Sequence, residues 1–455
     1  MSGLPGQRHL LTGWGRTAPT AARVMRCSEP ADVVSALRSR PTRGVLARGL
    51  GRSYGDAAQN AGGMVLETAP GHGLIDVDLE AGFATATAGT SLDQLMRWLV
   101  PLGWFVPVTP GTRYVTVGGA IAADVHGKNH HRTGSWCNHV TSFRLAGPDG
   151  GIREVDPVDD AAVFWATAGG MGLTGVIIDA TFRLLPVESS LLSVDTDRAG
   201  DLDSIMELME STDEVSDYSV AWIDLLATGA SMGRSVLTRG RFAGRDELPD
   251  ELAERRFEFA PRQVVTAPPL IPSGLLNRWT IGLFNEMWYR KSPQHRRGEL
   301  QTISQFFHPL DMVGGWNRLY GSRGFLQWQC VVPFTAGETL RHAVERLSSS
   351  GTASFLAVLK RFGPGNQGPL SFPQEGWTLS LDIPVGAPEL EQLLDGLDER
   401  VAEAGGRVYL AKDSRLRPEL LSEMYPRLDA WREVRDELDP ERRLSSDLGR
   451  RLGLC

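Results

Sequence analysis

The stretch ARGLGRSYGDAAQN, Ala47–Asn60, decides how this chain is read. It follows a short apolar run and is rich in glycine, the composition of a loop whose backbone N–H groups can hold phosphate. A nicotinamide-type dinucleotide fold needs G-x-G-x-x-G between a strand and a helix. Here the glycines are Gly49, Gly51 and Gly55, and the residues after Gly55 read as loop, not as amphipathic helix. No acidic residue closes a first strand–helix–strand unit where that fold wants one. A dinucleotide on this loop therefore requires a different fold.

Working outward, RGVLARGL, Arg43–Leu50, reads as a short strand entering the loop, and Ser28 to Ser39 as a helix capped by Ser28 with Pro30 in its first turn. GMVLET and LIDVDLEAGFATATAGT alternate like strands, the latter turning at Glu80-Ala81-Gly82. Ser91 and Gln94 form a capping box for a second helix, which Pro101 stops. The segment from Val106 to His131 is loop-rich and dense in glycine. SFRLAGPDGGIREV is a hairpin, and the run from Asp159 to Val187 is a helix, a glycine loop and a long strand. Near residue 190 the character changes to strands such as FLQWQCVVPF and WTLSLDIPV with helices between them, the pattern of an antiparallel sheet with helices on one side. After Gly405 the pattern turns back. The expected class is α+β, with segments 1–190, 191–404 and 405–455. Ala267–Lys291, rich in proline, tryptophan and apolar residues without a long period, reads either as a core-covering loop or as a mobile, lipid-facing lid.

The 455 residues carry a formal charge of -8 without long runs of either sign, which argues against nucleic acid. The four cysteines, Cys27, Cys137, Cys330 and Cys455, form no C-x-x-C and read as buried or surface thiols, with a structural disulfide as the alternative. No signal peptide or transmembrane segment is visible.

Several motifs then coincide. Arg48-Gly-Leu-Gly-Arg-Ser-Tyr54 resembles the R-x-G-G-H-S-Y loop of the vanillyl-alcohol-oxidase-type flavoproteins. VTVGGAIAADVHG, FWATAGGMGLTGVIIDATFRLLP and DPERRLSS resemble further segments of that superfamily. LTGWGRTAP, DVHGKNHH, EMWYRKS, FHPLDM, GPGNQGPLSFP and AKDSR resemble, nearly end to end, the decaprenylphosphoryl-β-D-ribose 2′-oxidase family. The resemblance implies a two-domain flavoprotein whose FAD domain is built from the N- and C-terminal segments. It implies FAD-dependent oxidation of the ribose 2-hydroxyl of decaprenylphosphoryl-ribose, the first half of epimerisation for cell-wall arabinan. It also implies an NAD(P)H-dependent short-chain reductase as partner and a peripheral place at the plasma membrane, in the cell envelope. Two rivals stand beside it: an oxidase of a soluble sugar or aldonolactone, and a flavin-loaded scaffold without catalysis.

The residues that the resemblance assigns to FAD are Ala47, Arg48, Gly49, Leu50, Gly51, Arg52, Ser53, Tyr54, Gly55 and Asp56 in the first loop. Gly111, Thr116, Val117, Gly118 and Gly119 follow, then Ala123, Asp124, His126, Ile178 and Tyr409. Many relatives join a histidine of the first loop to the flavin; Arg52 stands at that place, so non-covalent FAD is expected. Lys412 and His126 are alternative bases, and Tyr54 is grouped with them. Trp222, Arg318, Gln327, Gln329, Lys360, Asn366 and Ser380 are assigned to substrate. Gln327 and Gln329 flank Trp328 and so share one strand face. Mycobacterial members carry a cysteine where Ser380 stands. His126, His130, His131 and His139 beside Asp124 lack the spacing of a helical metal site, and no metal is expected.

Overall fold

The computed structural model describes residues 6–268, 271, 272, 274, 276–351, 354–386 and 389–455. Three sheets organise them. In the first, Val45–Arg48 and Thr20–Arg26 run parallel to Met64–Glu67 between them, and Gln7–Leu11 adds an antiparallel edge. The second is antiparallel, in the order Leu74–Asp78, Phe83–Thr87, Val176–Arg183, Val140–Ala146, Ile152–Val155. Its two hairpins turn at residues 79–82 and 147–151, where glycines take positive φ (Gly82 +75°, Gly150 +81°).

The third sheet has eight strands: His295–Thr302, Leu191–Ala199, Ser235–Phe242, Tyr218–Ile223, Ala357–Phe362, Gly376–Pro384, Phe325–Val332 and Arg407–Val408. Its central strands decide where the site lies. Along Gly376–Pro384, Trp377, Leu379, Leu381 and Ile383 point into the core formed with helices Leu202–Thr212, Gly337–Ser350 and Leu390–Glu403. Strand alternation sends Thr378, Ser380 and Asp382 to the opposite face. Gln327 pairs with Asp382 and Gln329 with Ser380, so the neighbouring strand adds its amides to that same polar face. The chain's end returns to the first sheet, where Leu444 bridges Val45 and Val45 N donates to Arg443 O.

Several local readings differ from the structure. The first helix is Pro30–Arg38 and begins at Glu29, whose neighbour Asp32 accepts the N–H groups of Ser28 and Glu29. The segment read as loop contains a short helix, Val117–Ala122, because Thr116 Oγ accepts from Gly119 N and fixes its first turn. His130–Thr133 is also helical, despite the glycines around it. Ala267–Lys291 ends in a 14-residue helix, Arg278–Lys291, capped by Asn277; the expected lid also includes Pro269, Leu270, Ser273 and Leu275, which lie outside the described residues. Arg407–Val408 pairs with Phe325–Val332, so the chain leaves the eight-stranded sheet only after Val408. Beyond Val408 the chain makes a turn, with Lys412 N donating to Tyr409 O.

Candidate active site

One cavity of about 1140 Å³ runs from the glycine loop to the polar face of the eight-stranded sheet. That exceeds the roughly 300–1,000 Å³ typical of a pocket for one small molecule. Ala47 through Tyr54 form one wall, joined by Gly111, Thr116, Gly118, Gly119 and Ala123. A Cβ added at Gly49 would lie 2.3 Å from Thr116 Oγ, so the first loop packs directly on the cap of helix Val117–Ala122. At Gly111 an added Cβ would meet nothing within 4 Å; it would project into open cavity. Close-packed backbone beside free space is what a dinucleotide's phosphates and ribityl chain require, and these residues fit FAD.

Two arginines of the loop have defined tasks. Arg48 donates to Ala58 O and Thr12 O, bracing the loop from behind. Arg52 donates to Leu50 O at 2.6 Å and lays its guanidinium 4.2 Å from the Trp14 ring centroid. Tyr54 N donates to Ala411 O, which ties the loop to the turn carrying Lys412.

Opposite this wall stand Trp222, Gln327, Lys360, Ser380, Tyr409 and Lys412, together with apolar strand positions Val220, Val236 and Val358. Lys412 Nζ donates to Ser380 Oγ at 3.3 Å and lies 5.5 Å from the Tyr54 ring centroid. Burial pushes the Lys412 pKa down, and the nearby Asp382 carboxylate opposes that shift. Asp382 is moved up by its own burial; it accepts from Gln327 and, at 3.4 Å, from Tyr320 OH. Burial holds the Tyr54 phenol well above its ordinary range, so it is a hydrogen-bond donor and not a base at neutral pH.

His126 is enclosed by Phe362, Phe372 and Tyr409. Burial, then Lys360 and Lys412, hold its pKa well below the ordinary value, and the ring is neutral. Both ring nitrogens are engaged: Lys360 Nζ is 3.4 Å from Nδ1 and Gln329 Nε2 is 3.1 Å from Nε2. Lys360 is pushed down to about 7, by burial first and then by Lys412 and Lys128.

Several sequence-assigned residues lie off the cavity. Asp124 is a buried hub that accepts from Ser135, Cys137 N, Ser371 and Asn366, so both Asp124 and Asn366 brace the His126 loop from behind. Asp56 pairs with Arg451, and Gly55 packs so closely on Asp413 that an added Cβ would lie 1.9 Å from its carbonyl oxygen. Arg318 donates to Ala267 O. Val117 and Ile178 are core residues, although Ile177 does line the cavity. Gln329 sits behind His126 and also donates to Thr378.

Sequence reasoning passed over two residues. Lys128 lines the cavity, donates to Phe306 O, and is lowered to about 7 by burial. Its signal was its place two residues beyond His126 in DVHGKNHH. Asp382 follows Ser380 by two residues, on the same strand face. Among the described residues no group of His, Cys, Asp and Glu is arranged to hold a metal. Cys27, Cys137 and Cys330 are buried free thiols and Cys455 is a half-buried one.

Residues 21–156 match the family model described as FAD binding domain, and residues 357–452 match the one described as D-arabinono-1,4-lactone oxidase. The chain is 46% identical over 449 residues to the decaprenylphosphoryl-β-D-ribose oxidase of Mycolicibacterium smegmatis, covering 98% of this chain and 97% of that one. It is 45% identical over 373 residues to an uncharacterised Streptomyces coelicolor protein of the mprA 5′ region, covering 80% and 100%. A shorter match, 31% identical over 163 residues and covering 35% and 37%, is to an uncharacterised oxidoreductase of the Rhodococcoides fascians fasciation locus.

Proposed function

The chain belongs to the decaprenylphosphoryl-β-D-ribose oxidase family of FAD-dependent oxidoreductases, and from that premise we propose that it oxidises the ribose 2-hydroxyl of a polyprenyl-phosphoryl ribose to the 2-keto sugar. The observation that carries this reading is the single cavity that joins the glycine loops to three lysines and an apolar strand face. Bound FAD supplies a two-electron acceptor for the C2 hydride. The protein's own groups do the rest. Ala47 to Tyr54, Gly111, Thr116, Gly118 and Gly119 hold the cofactor. Lys412 Nζ takes the hydroxyl proton: burial favours its neutral form, and Ser380 Oγ orients it. His126 is the weaker candidate, since both its nitrogens already have partners. Lys128 and Lys360 face the phosphodiester charge, which compensates the cost of keeping ammonium groups in a dry site. Trp222, Val220, Val236 and Val358 receive the first isoprene units.

The division into 1–190, 191–404 and 405–455 is part of this reading; the separation of the first two sheets from the third supports its first boundary, while Arg407–Val408 still pairs in the third sheet. So are a peripheral position at the membrane and a short-chain NAD(P)H-dependent reductase that takes up the keto sugar. FAD is held without a covalent bond, since Arg52 occupies the place of the linking histidine. Acid precipitation leaves the flavin in the supernatant; flavin retained by the precipitate contradicts this.

The match of residues 357–452 to D-arabinono-1,4-lactone oxidase favours a soluble substrate as the second reading. Anaerobic mixing with polyprenyl-phosphoryl ribose, free ribose or an aldonolactone, followed at the flavin absorbance band, separates them. Bleaching by the lipid-linked sugar alone is expected. Bleaching by a soluble sugar at an equal rate overturns the lipid assignment, and no bleaching by any of them leaves a scaffold.

A further inference from the structure

Helix Arg278–Lys291 is built inside out. Its inward face is mostly polar: beside buried Ile281, Asn285 donates to Asp224 Oδ1 at 2.7 Å, Glu286 pairs with Arg234 at 2.7 Å, and Tyr289 OH donates to Ala199 O at 3.2 Å. Its outward face carries Trp279, Leu283 and Met287 at successive i, i+4 positions, 86%, 74% and 57% exposed. Helices on globular surfaces show the reverse order. Beside that stripe Phe284 stacks on Trp288, and Trp288 lines the cavity. The apolar band thus runs from open surface to the cavity mouth. Exposed Arg278 and Lys291 lie at the two ends of the helix.

We infer that this face is a bilayer-docking surface, with Trp279, Leu283 and Met287 sunk into the headgroup–acyl boundary and Arg278 and Lys291 on anionic headgroups. The inference rests on the lipid-linked substrate proposed above and names the surface that meets the lipid. Three observations favour a bilayer over a second copy of the chain. Tryptophan and long apolar side chains on a short helix with basic ends are what interfacial helices present. The band is continuous with the cavity, so a prenyl-linked sugar can pass from the leaflet into the site without its tail crossing water. A second copy seated there would cover that mouth. Among the described residues no helix is long and apolar enough to cross a membrane, so the contact is peripheral.

The test uses FAD-loaded protein and vesicles of phosphatidylcholine with and without phosphatidylglycerol. The parent protein floats with the anionic vesicles. The triple variant Trp279→Ser, Leu283→Ser, Met287→Ser loses vesicle affinity by about tenfold or more, while flavin content and flavin reduction by a detergent-dispersed, short-prenyl phosphoryl ribose are unchanged. Reduction by the same sugar embedded in vesicles falls with the affinity. Equal vesicle binding by parent and variant overturns the inference. So does a parent that stays out of vesicles but forms a dimer which the variant dissolves. Vesicle binding that responds to the variant, with no flavin reduction by any phosphoryl ribose, instead sinks the substrate reading and leaves the surface standing. Should the triple variant misfold, quenching of parent tryptophan fluorescence by brominated lipid is the second measurement, and its absence is equally decisive.

Discussion

Lys412 and His126 are both neutral-leaning groups in one cavity, and what separates them is whether a nitrogen is free to accept a proton. Lys412 Nζ donates to a serine hydroxyl that can turn and lies over the Tyr54 ring, while His126 stands between Lys360 and Gln329. Lys412→Ala is expected to load FAD normally and to lose about a hundred- to ten-thousand-fold in flavin reduction by substrate. The pH dependence has a definite sign. The base form is the deprotonated amine, so the parent's reduction rate rises with pH through the lowered Lys412 pKa, and the variant loses that rise. Stopped-flow traces across pH give the comparison; a Lys412→Ala rate near the parent's, with a large loss in His126→Ala, moves the base role to the histidine. Ser380 supports a second expectation. Cys27 and Cys330 have thiols pushed up to about 12 by burial, and Cys137 is raised likewise, so none is a ready nucleophile. A thiol created by Ser380→Cys would sit within reach of the Lys412 amine, which can take its proton. That variant should gain one adduct in the cavity from a thiol-directed electrophile, seen by peptide mass. An adduct in the parent at a residue other than Cys455 would contradict the burial argument.

At the scale of elements, the glycine loop and helix Val117–Ala122 work as one piece because Thr116 Oγ is at once the helix cap and the surface against which Gly49 packs. Gly49→Ala places a methyl 2.3 Å from that oxygen. Neither partner is the tip of a long side chain, so the cap must shift, at about 0.5–2 kcal/mol for a lost N-cap. Purified Gly49→Ala should carry less FAD per chain than the parent, and Thr116→Val should show a similar deficit. Full flavin content in Gly49→Ala would mean that the two loops do not act together. The first loop was readable because glycine spacing is itself a statement about backbone approach. The short helix was not, since two glycines in six residues hide any period, and only Thr116 three residues before Gly119 marks it. Helix Arg278–Lys291 escaped for the opposite reason: residues 279, 283 and 287 do keep a helical interval, but they lie outside while polar Asn285 is buried, against the expectation that the apolar stripe faces inward. Gln327, Ser380 and Lys360 followed from strand alternation and family position. Asp124, Asn366 and Arg318 did not reach the cavity, because nearness in sequence to a site residue leaves open the side of the backbone on which a side chain falls.

Across the whole molecule, the last residues of the chain decide whether the parts of the site stay in register. Arg451 reaches Asp56 and Asp413, each at 2.8 Å. Asp56 ends the glycine loop and Asp413 follows Lys412, so one guanidinium fastens the glycine loop to the turn that carries Lys412. Only a planar fork with several donors bridges two carboxylates in this way. Removing it leaves Asp413, whose side chain is 2% exposed, without its cationic partner. Breaking a fully buried pair costs about 3–5 kcal/mol. Here the cost is smaller, about 2 kcal/mol, because Asp413 keeps the N–H bonds of Arg415 and Leu416. Arg451→Ala is therefore expected to melt at a lower temperature, to release FAD more readily on dilution, and to reduce flavin more slowly even when saturated with FAD. Arg451→Lys restores charge but not the fork, and should recover part of the melting temperature and little of the rate. A variant that melts early yet retains flavin and full rate would show that the tail stabilises the fold without setting the distance between Lys412 and the cofactor wall.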